Sequence, residues 1–220
     1  MALRLRAGDR AQAGTLELDG LVAAGSGLRL DGEIVVAGQV GALAWRVAGP
    51  VALTPAALVI ERTEAQLGSD DKAARATGSV RLAFGADAAL EAVLTARQVD
   101  IDRLFQPEGQ AFSTPLAGLN AIVAAIPVLA RPALPVTIGL DLGGVTLAGG
   151  LVGDFRGDLR ASEGGWRLEQ LSARLPGQAT VEASGTLVFA PNAAFSGPVS
   201  LQASRPAQLL SWVDGLATPE

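Results

Sequence analysis

Asp100 and Asp102, in the segment VDIDRLF, are the residues of this chain best spaced for chemistry. If one strand runs through both, its alternation directs the two carboxylates to the same face, where their mutual repulsion favours protonation of one, as general acid–base catalysis requires. Such a pair would suit a carbohydrate-active enzyme. The commoner role of an aspartate here is to cap a short helix at a strand end, and we favour that interpretation.

The other candidates favour structural roles. The loop GSDDKAAR carries the densest charge and is typical of a solvated hairpin tip, with too few ligands for a cation site: Asp70, Asp71 and Lys72. The tryptophans would stack on sugars if they were grouped, but they are scattered in a chain without tyrosine. They indicate core or rim anchors: Trp45, Trp166 and Trp212.

The amino-acid composition excludes most of the remaining catalytic mechanisms and metal sites. The chain has 220 residues with Cys 0 and His 0, which excludes thiolate nucleophiles, Ser-His-Asp triads, ordinary zinc sites and disulfides. Its net charge of −5 gives no electrostatic means of gathering nucleic acid. We therefore predict a non-enzymatic protein with no catalytic residues, no metal site, no cofactor and no nucleic-acid partner.

The elements that position these residues are mostly strands, because apolar and polar residues alternate at a period of two. In GDFRGDLRA, Phe155 and Leu159 alternate with Arg156 and Asp158. A sheet with one apolar face and one solvated face is typical of antiparallel pairing. We predict a mainly β fold: an extended curved antiparallel sheet of hairpin repeats, forming an open groove or a sandwich-like pair. Its apolar face, core or lipid-facing, includes Leu140, Leu142, Phe155, Leu159, Val181, Leu187, Val199 and Leu201.

Short links rich in turn residues separate the predicted strands. They are the LDG sequences at 18–20 and 30–32, EGG at 163–165, LPGQ at 175–178 and APN at 190–192. Links this short predict a meander of hairpins rather than a βαβ fold.

Two segments have helical spacing instead. One lies near 113–130, with Ser113 as its cap and an apolar stripe that serves as core or as a lid: Leu116, Leu119, Val123 and Ile126. The other lies near 205–214, with Ser204 as its cap and Gly215 as its stop. We expect both helices to lie against the apolar sheet face, the first of them on that face or at its end, where it links the two repeats.

An internal repeat organises the chain. VIERTEAQL at 59–67 aligns with RLEQLSARL at 167–175 at an offset of 108. ARATGSV at 74–80 aligns with VEASGTL at 181–187 at an offset of 107, which predicts intervening turns that differ by one residue.

Both copies also change phase inside a strand. Leu58 and Ile60 have the opposite parity to Thr63 and Leu67, and the second copy does the same, which predicts a shared β-bulge. We therefore divide the chain into a first hairpin module at 1–112, a connecting helix at 113–132 and a second module at 133–220. One continuous domain is the alternative.

The motifs of the second half follow a family pattern. VTLAG precedes a strand of alternating charge, then come the hairpin GGWRLEQLSARLPG, the strand ASGTL, and FSGPVSL leading into a short helix; VDIDRLF precedes the apolar helix. With these motifs, most of the chain resembles the AsmA family of bacterial envelope proteins, and the resemblance, to a C-terminal-type module, is strongest from Leu134 to Leu216. The resemblance implies a periplasmic module at the inner membrane that acts in outer-membrane biogenesis and lipid homeostasis.

The wider AsmA-like group further implies lipid transport, with phospholipid acyl chains or membrane as partner and other envelope proteins as possible ones. The alternative function is a structural or adhesive β-domain with protein partners only. The N-terminal stretch MALRLRAGDRAQAG has charges where a signal peptide needs an apolar core, and no stretch is long enough for a spanning helix. We therefore expect no signal peptide or transmembrane anchor in this chain, and we expect it to be a fragment or detached module.

Overall fold

The computed structural model describes residues 2–9, 14–24, 27–40, 43–125, 134–162, 165–188 and 194–215. The fold is mainly β, as predicted, and the described strands form one open sheet of 14 strands. In chain order they are β1 (Ala2–Asp9), β2 (Gly14–Ala24), β3 (Leu28–Val40), β4 (Leu43–Leu53), β5 (Ala57–Leu67), β6 (Ala74–Ala83), β7 (Ala89–Ala96), β8 (Val99–Asp100), β9 (Val136–Leu147), β10 (Gly150–Ser162), β11 (Gly165–Leu175), β12 (Ala179–Val188), β13 (Ala194–Ser196) and β14 (Val199–Ala203).

Most strands pair with the next strand along the chain, and the exceptions lie at β8 and β9 and at β12 to β14. Strands β1 to β7 lead into β9 to β12, β13 and β14 both pair along β12, and β8 joins the end of β9. Among the described strands every pair is antiparallel except β7 with β9 and β8 with β9. A parallel pair needs a crossover connection. The prediction of a simple meander is therefore wrong at this junction.

Three α-helices accompany the sheet in the described segments, two of them inside the crossover: α1 (Ile101–Phe105), α2 (Pro115–Ala125) and α3 (Pro206–Asp214). A 3-10 turn, Gly85–Asp87, precedes β7. The expected helix near 113–130 is present from Pro115 to Ala125, and residues 126–130 lie outside the described residues. The expected helix near 205–214 is confirmed.

The caps of these helices differ in part from the prediction. Asp100 caps α1 as expected, since its Oδ1 accepts the N–H of Arg103 at 2.9 Å. Helix α2 is capped by Thr114, whose Oγ1 accepts the N–H of Ala117 at 3.2 Å, so the assignment to Ser113 is wrong.

Helix α3 begins after Arg205, which makes no side-chain cap, so the assignment of its cap to Ser204 is wrong too. Gly215 ends α3 in the left-handed region at φ 67°, as predicted.

The two LDG sequences lie inside strands, so the turns predicted there are wrong. Gly20 and Gly32 are partners across β2 and β3. A Cβ on Gly32 would overlap the carbonyl oxygen of Asp19. Glycine therefore serves a close approach of two strands here, not a change of direction.

The other predicted links have mixed outcomes. The LPGQ turn is confirmed between β11 and β12, where Gly177 and Gln178 have φ of 84° and 52°. The EGG link joins β10 to β11, although residues 163 and 164 lie outside the described residues, as does the APN link at 190–192.

The pairing registers support two copies of one unit, β3–β7 and β9–β14. In the second copy β13 and β14 both pair along β12 and together take the place that β7 has beside β6. Ile60 pairs with Val51 and Val80, and at the offset of 108 Leu168 pairs with Leu159 and Gly185. Val80 and Gly185 are therefore equivalent, at an offset of 105.

The sequence alignment at an offset of 107 is two residues out of register in this strand. The turn from β5 to β6 spans 68–73 and the turn from β11 to β12 spans 176–178, so they differ by three residues rather than one. The copies share one sheet because β7 and β9 pair directly.

The predicted β-bulge is confirmed in both copies. Strand β5 carries one extra residue between Ile60 and Thr63 relative to both of its neighbours, and β11 carries one between Leu168 and Leu171. Thr63 is 1% exposed, and its hydroxyl donates to the carbonyl oxygen of Ile60 at 3.2 Å. The extra residue resets the alternation, so apolar residues before and after it share one face.

The core lies along this apolar side in two clusters. One joins β2 to β5 and consists of Leu18, Leu30, Ile34, Val51 and Ile60. The other joins β9 to β11 and consists of Val136, Ala161 and Trp166. Each is built from neighbouring strands of the same sheet.

The substitution Gly32→Ala tests the close approach of β2 and β3. The added Cβ overlaps the Asp19 carbonyl oxygen, so we expect the free energy of unfolding in urea to fall by about 1–3 kcal/mol. Gly14→Ala is the matched control in β2, because its Cβ meets only the Ala37 carbonyl oxygen, at 3.8 Å. Equal stability of the two variants would contradict the packing argument.

Candidate functional site

The candidate site is a continuous apolar face, hereafter the apolar face, that crosses the sheet. Directly paired residues point to the same side of a sheet. One chain of such pairs crosses eleven strands and contains only apolar residues: Val22, Leu30, Leu53, Leu58, Leu82, Leu90, Val136, Ala161, Trp166, Leu187 and Phe195. The face therefore continues through both copies of the repeat and across the parallel junction.

All eight residues predicted for this face lie on it. Leu142 pairs with Phe155, and Val181 pairs with Leu201. Six of the eight are half-buried: Leu140, Leu142, Phe155, Leu159, Val181 and Leu187. Val199 and Leu201, at the edge of the sheet, are 56% and 52% exposed.

Exposure of the apolar face differs between its two ends. In β2 and β3, Leu18 is 7% exposed and Ile34 is 3% exposed. At the other edge, Phe195 in β13 is 39% exposed and Val199 is more so. The face is therefore packed in the middle of β2 and β3, although Leu28 at the start of β3 is 60% exposed, and it is accessible to solvent along β13 and β14.

The helices cover one end of the strands rather than lying along the apolar face. Leu104 of α1 lies beside Gly68, at the turn after β5. Leu209 of α3 lies beside Gly177, and the Trp212 indole N–H donates to the Leu147 carbonyl oxygen at 2.9 Å. These contacts are all with the ends of hairpins.

The expected apolar stripe of α2 is not its contact surface. Leu116 is 61% exposed and Leu119 is 49% exposed. The buried residue of α2 is Gly118, which packs against Leu147 and Phe112 because it has no side chain. Leu116 and Leu119 therefore face solvent rather than the core; Val123 is half-buried, and Ile126 lies outside the described residues.

Asp102 holds α1 to the next hairpin. Its carboxylate, 5% exposed, accepts the backbone N–H groups of Ala148 at 2.9 Å, Gly149 at 2.8 Å and Phe112 at 3.3 Å. Ala148 and Gly149 form the tight turn from β9 to β10 and both have positive φ. One side chain therefore satisfies three amides and ties the crossover to the second copy.

The catalytic interpretation of Asp100 and Asp102 depended on one extended strand through both residues. Strand β8 instead ends at Asp100, and α1 begins at the next residue. The Asp100 carboxylate accepts a backbone N–H of α1, and the Asp102 carboxylate accepts a backbone N–H of the turn between β9 and β10. Sequence reasoning missed the role of Asp102, because two of its three partners lie 46 and 47 residues away.

Charged side chains occupy the opposite face and the hairpin tips. Arg29 and Asp31 form a solvent-exposed pair with N–O distances of 2.7–2.9 Å. This hydrogen bonding lowers the pKa of the Asp31 carboxyl and raises the pKa of the Arg29 guanidinium.

At the tip between β5 and β6, the Ser69 hydroxyl donates to Asp71 and lowers the pKa of that carboxyl. Exposed pairs of this kind add little stability. They keep one side of the sheet hydrated.

The tryptophans act as anchors, as predicted. Trp166 is 4% exposed in the second core cluster, Trp45 is half-buried over Gly38, and Trp212 binds the end of β9.

Among the residues that the structure describes, no group of three or more acidic residues is placed to hold a metal ion. In the same residues, no helix has the length and hydropathy to cross a bilayer.

Comparison of this chain with protein-family models, with curated proteins and with solved structures gives no match.

The two aspartates provide a matched pair of substitutions. Asp102→Asn replaces one acceptor oxygen with an NH2 group that faces backbone donors, so we expect the free energy of unfolding to fall by about 1–3 kcal/mol. Asp100→Asn keeps the cap, since asparagine caps helices as well as aspartate does, and should be nearly neutral. Urea unfolding followed by circular dichroism distinguishes them; an equal loss in both variants would contradict the role of Asp102.

Proposed function

We propose that this chain is a non-enzymatic, AsmA-like module of the bacterial envelope whose apolar face binds phospholipid acyl chains. In this proposal it works at the periplasmic face of the inner membrane, in outer-membrane lipid homeostasis and lipid transport. The proposal joins the motif resemblance of the second half to the geometry of the sheet.

The observation that carries the proposal is the unbroken apolar row through eleven strands, accessible to solvent at its β13–β14 end. Apolar surface of this extent is costly to hydrate, at about 25 cal/mol per Å², and calls for a cover. The described helices cap the strand ends and leave the edge of the face exposed. An acyl chain is apolar, flexible and needs no catalytic group, which matches the residues present.

The alternative, a structural or adhesive β-domain, calls for a second sheet packed face to face on the first. The described strands belong to one sheet, which favours the acyl-chain proposal. A binding surface without His or Cys chemistry suits both functions, so the number of sheets is the discriminating feature.

Phe195→Asp tests acyl-chain binding at the accessible end. Phe195 is already 39% exposed, so the variant should fold, and a charge on the apolar face should weaken uptake of a phospholipid with a fluorescent acyl chain by about tenfold. Fluorescence titration gives the dissociation constant.

Ser196→Asp is the control, because it adds the same charge to the next residue of β13, on the opposite face. It should bind the probe as the unmodified chain does. If the unmodified protein takes up no probe and carries no phospholipid after purification, acyl-chain binding is rejected. Equal binding by the two variants rejects the apolar face as the site.

A further inference from the structure

The outer edge of β14 lacks the features that usually protect an edge strand. Its sequence, VSLQA, has no charge and no proline, and both Val199 and Leu201 are more than half exposed. In the described part of the chain, β14 pairs only with β12. Soluble proteins generally block such edges with lysine, proline or a covering element, because an open edge recruits another strand.

The repeat indicates what kind of strand covers this edge. At the offset of 105, β14 is equivalent to the second half of β7, so that Val199 corresponds to Leu94 and Leu201 to Ala96. Leu94 is half-buried and Ala96 is 5% exposed, because β9 pairs in parallel along the outer side of β7. By this equivalence, a strand that covered β14 would run parallel to it and carry apolar residues at alternate positions.

Strand β1 has these properties. Six successive antiparallel pairs lead from β1 to β7, so these two strands run in the same direction, and β9 runs parallel to β7. Four further antiparallel pairs lead from β9 through β10, β11 and β12 to β14, so β14 runs in the same direction as β1. Leu3, Leu5 and Ala7 occupy register positions beside β2 residues of the apolar face, and within the described residues β1 pairs only with β2.

We propose that β1 of a second copy of this chain pairs in parallel with β14, so that copies join head to tail and the apolar face continues between them. The junction repeats between chains the arrangement that β7 and β9 form within one chain. The contact is heterologous, since different edges of the two copies meet. A twofold pair of β14 strands would be antiparallel and is the competing arrangement.

The hydrogen bonds of β14 indicate how to block this contact alone. The Ser184 N–H donates to the Pro198 carbonyl oxygen at 3.3 Å, and the Ser204 N–H donates to the Gln178 carbonyl oxygen at 3.4 Å. Even-numbered positions therefore bond to β12, and the N–H of Leu201 points to the open edge. Leu201→Pro removes that donor without removing a bond to β12.

Sedimentation velocity in lipid-free buffer measures the association. The unmodified chain should form larger species as its concentration rises, and Leu201→Pro should raise the dissociation constant at least tenfold. Leu201→Lys is a second variant that keeps the backbone donor, and circular dichroism checks the fold of each. Val93→Lys is the control, because Val93 is 57% exposed on the opposite face of a central strand and should not alter association.

Introduced cysteines identify the two edges, since the chain has none of its own. A Gln202→Cys variant mixed with Arg4→Cys or Arg6→Cys should form a disulfide between copies. A monomer at every concentration, or a disulfide formed by Gln202→Cys alone, would overturn the proposal. Because no lipid is present, these results are independent of the acyl-chain experiment.

Discussion

The alternation of side chains along each strand is the constraint on which the rest of this structure depends. Fourteen strands keep one apolar side only if every pair stays in phase, because a slip of one residue exchanges the two faces. The bulge in β5 and its counterpart in β11 correct the phase where the sequence loses it. Burial, core clusters and the candidate binding surface all follow from this register.

The ends of the strands are organised by a few polar contacts rather than by a second hydrophobic layer. The Asp102 carboxylate joins α1 to the turn after β9, and the Trp212 indole joins α3 to the same strand end. Gly118 allows α2 to approach Leu147 closely. The helices thus fix the crossover while the apolar side of the later strands stays open.

Local patterns in the sequence predicted what local physics determines: the strands, the shared bulge, the Asp100 cap and the Gly215 stop. The errors arose where tertiary contacts decide. Glycine in LDG indicated a turn, yet Gly20 and Gly32 let two strands approach. The leucines of α2 indicated a buried stripe, yet a glycine is the contact. The sequence alignment matched Gly78 of β6 with Gly185 of β12 and was therefore two residues out of register. The length of the preceding turn differs between the two copies, whereas the pairing of the strands is the same in both.

The parallel junction also has a consequence for the order of folding. Hairpins such as β9–β10 close over two residues, whereas β7 meets β9 through partners such as Leu90 and Val136, 46 positions apart. Loop-closure entropy makes the longer connection costlier by about 3 kcal/mol. We expect the hairpins of each half to form first, from their own turns, during synthesis. The pairing of β7 with β9 then forms last and limits the folding rate.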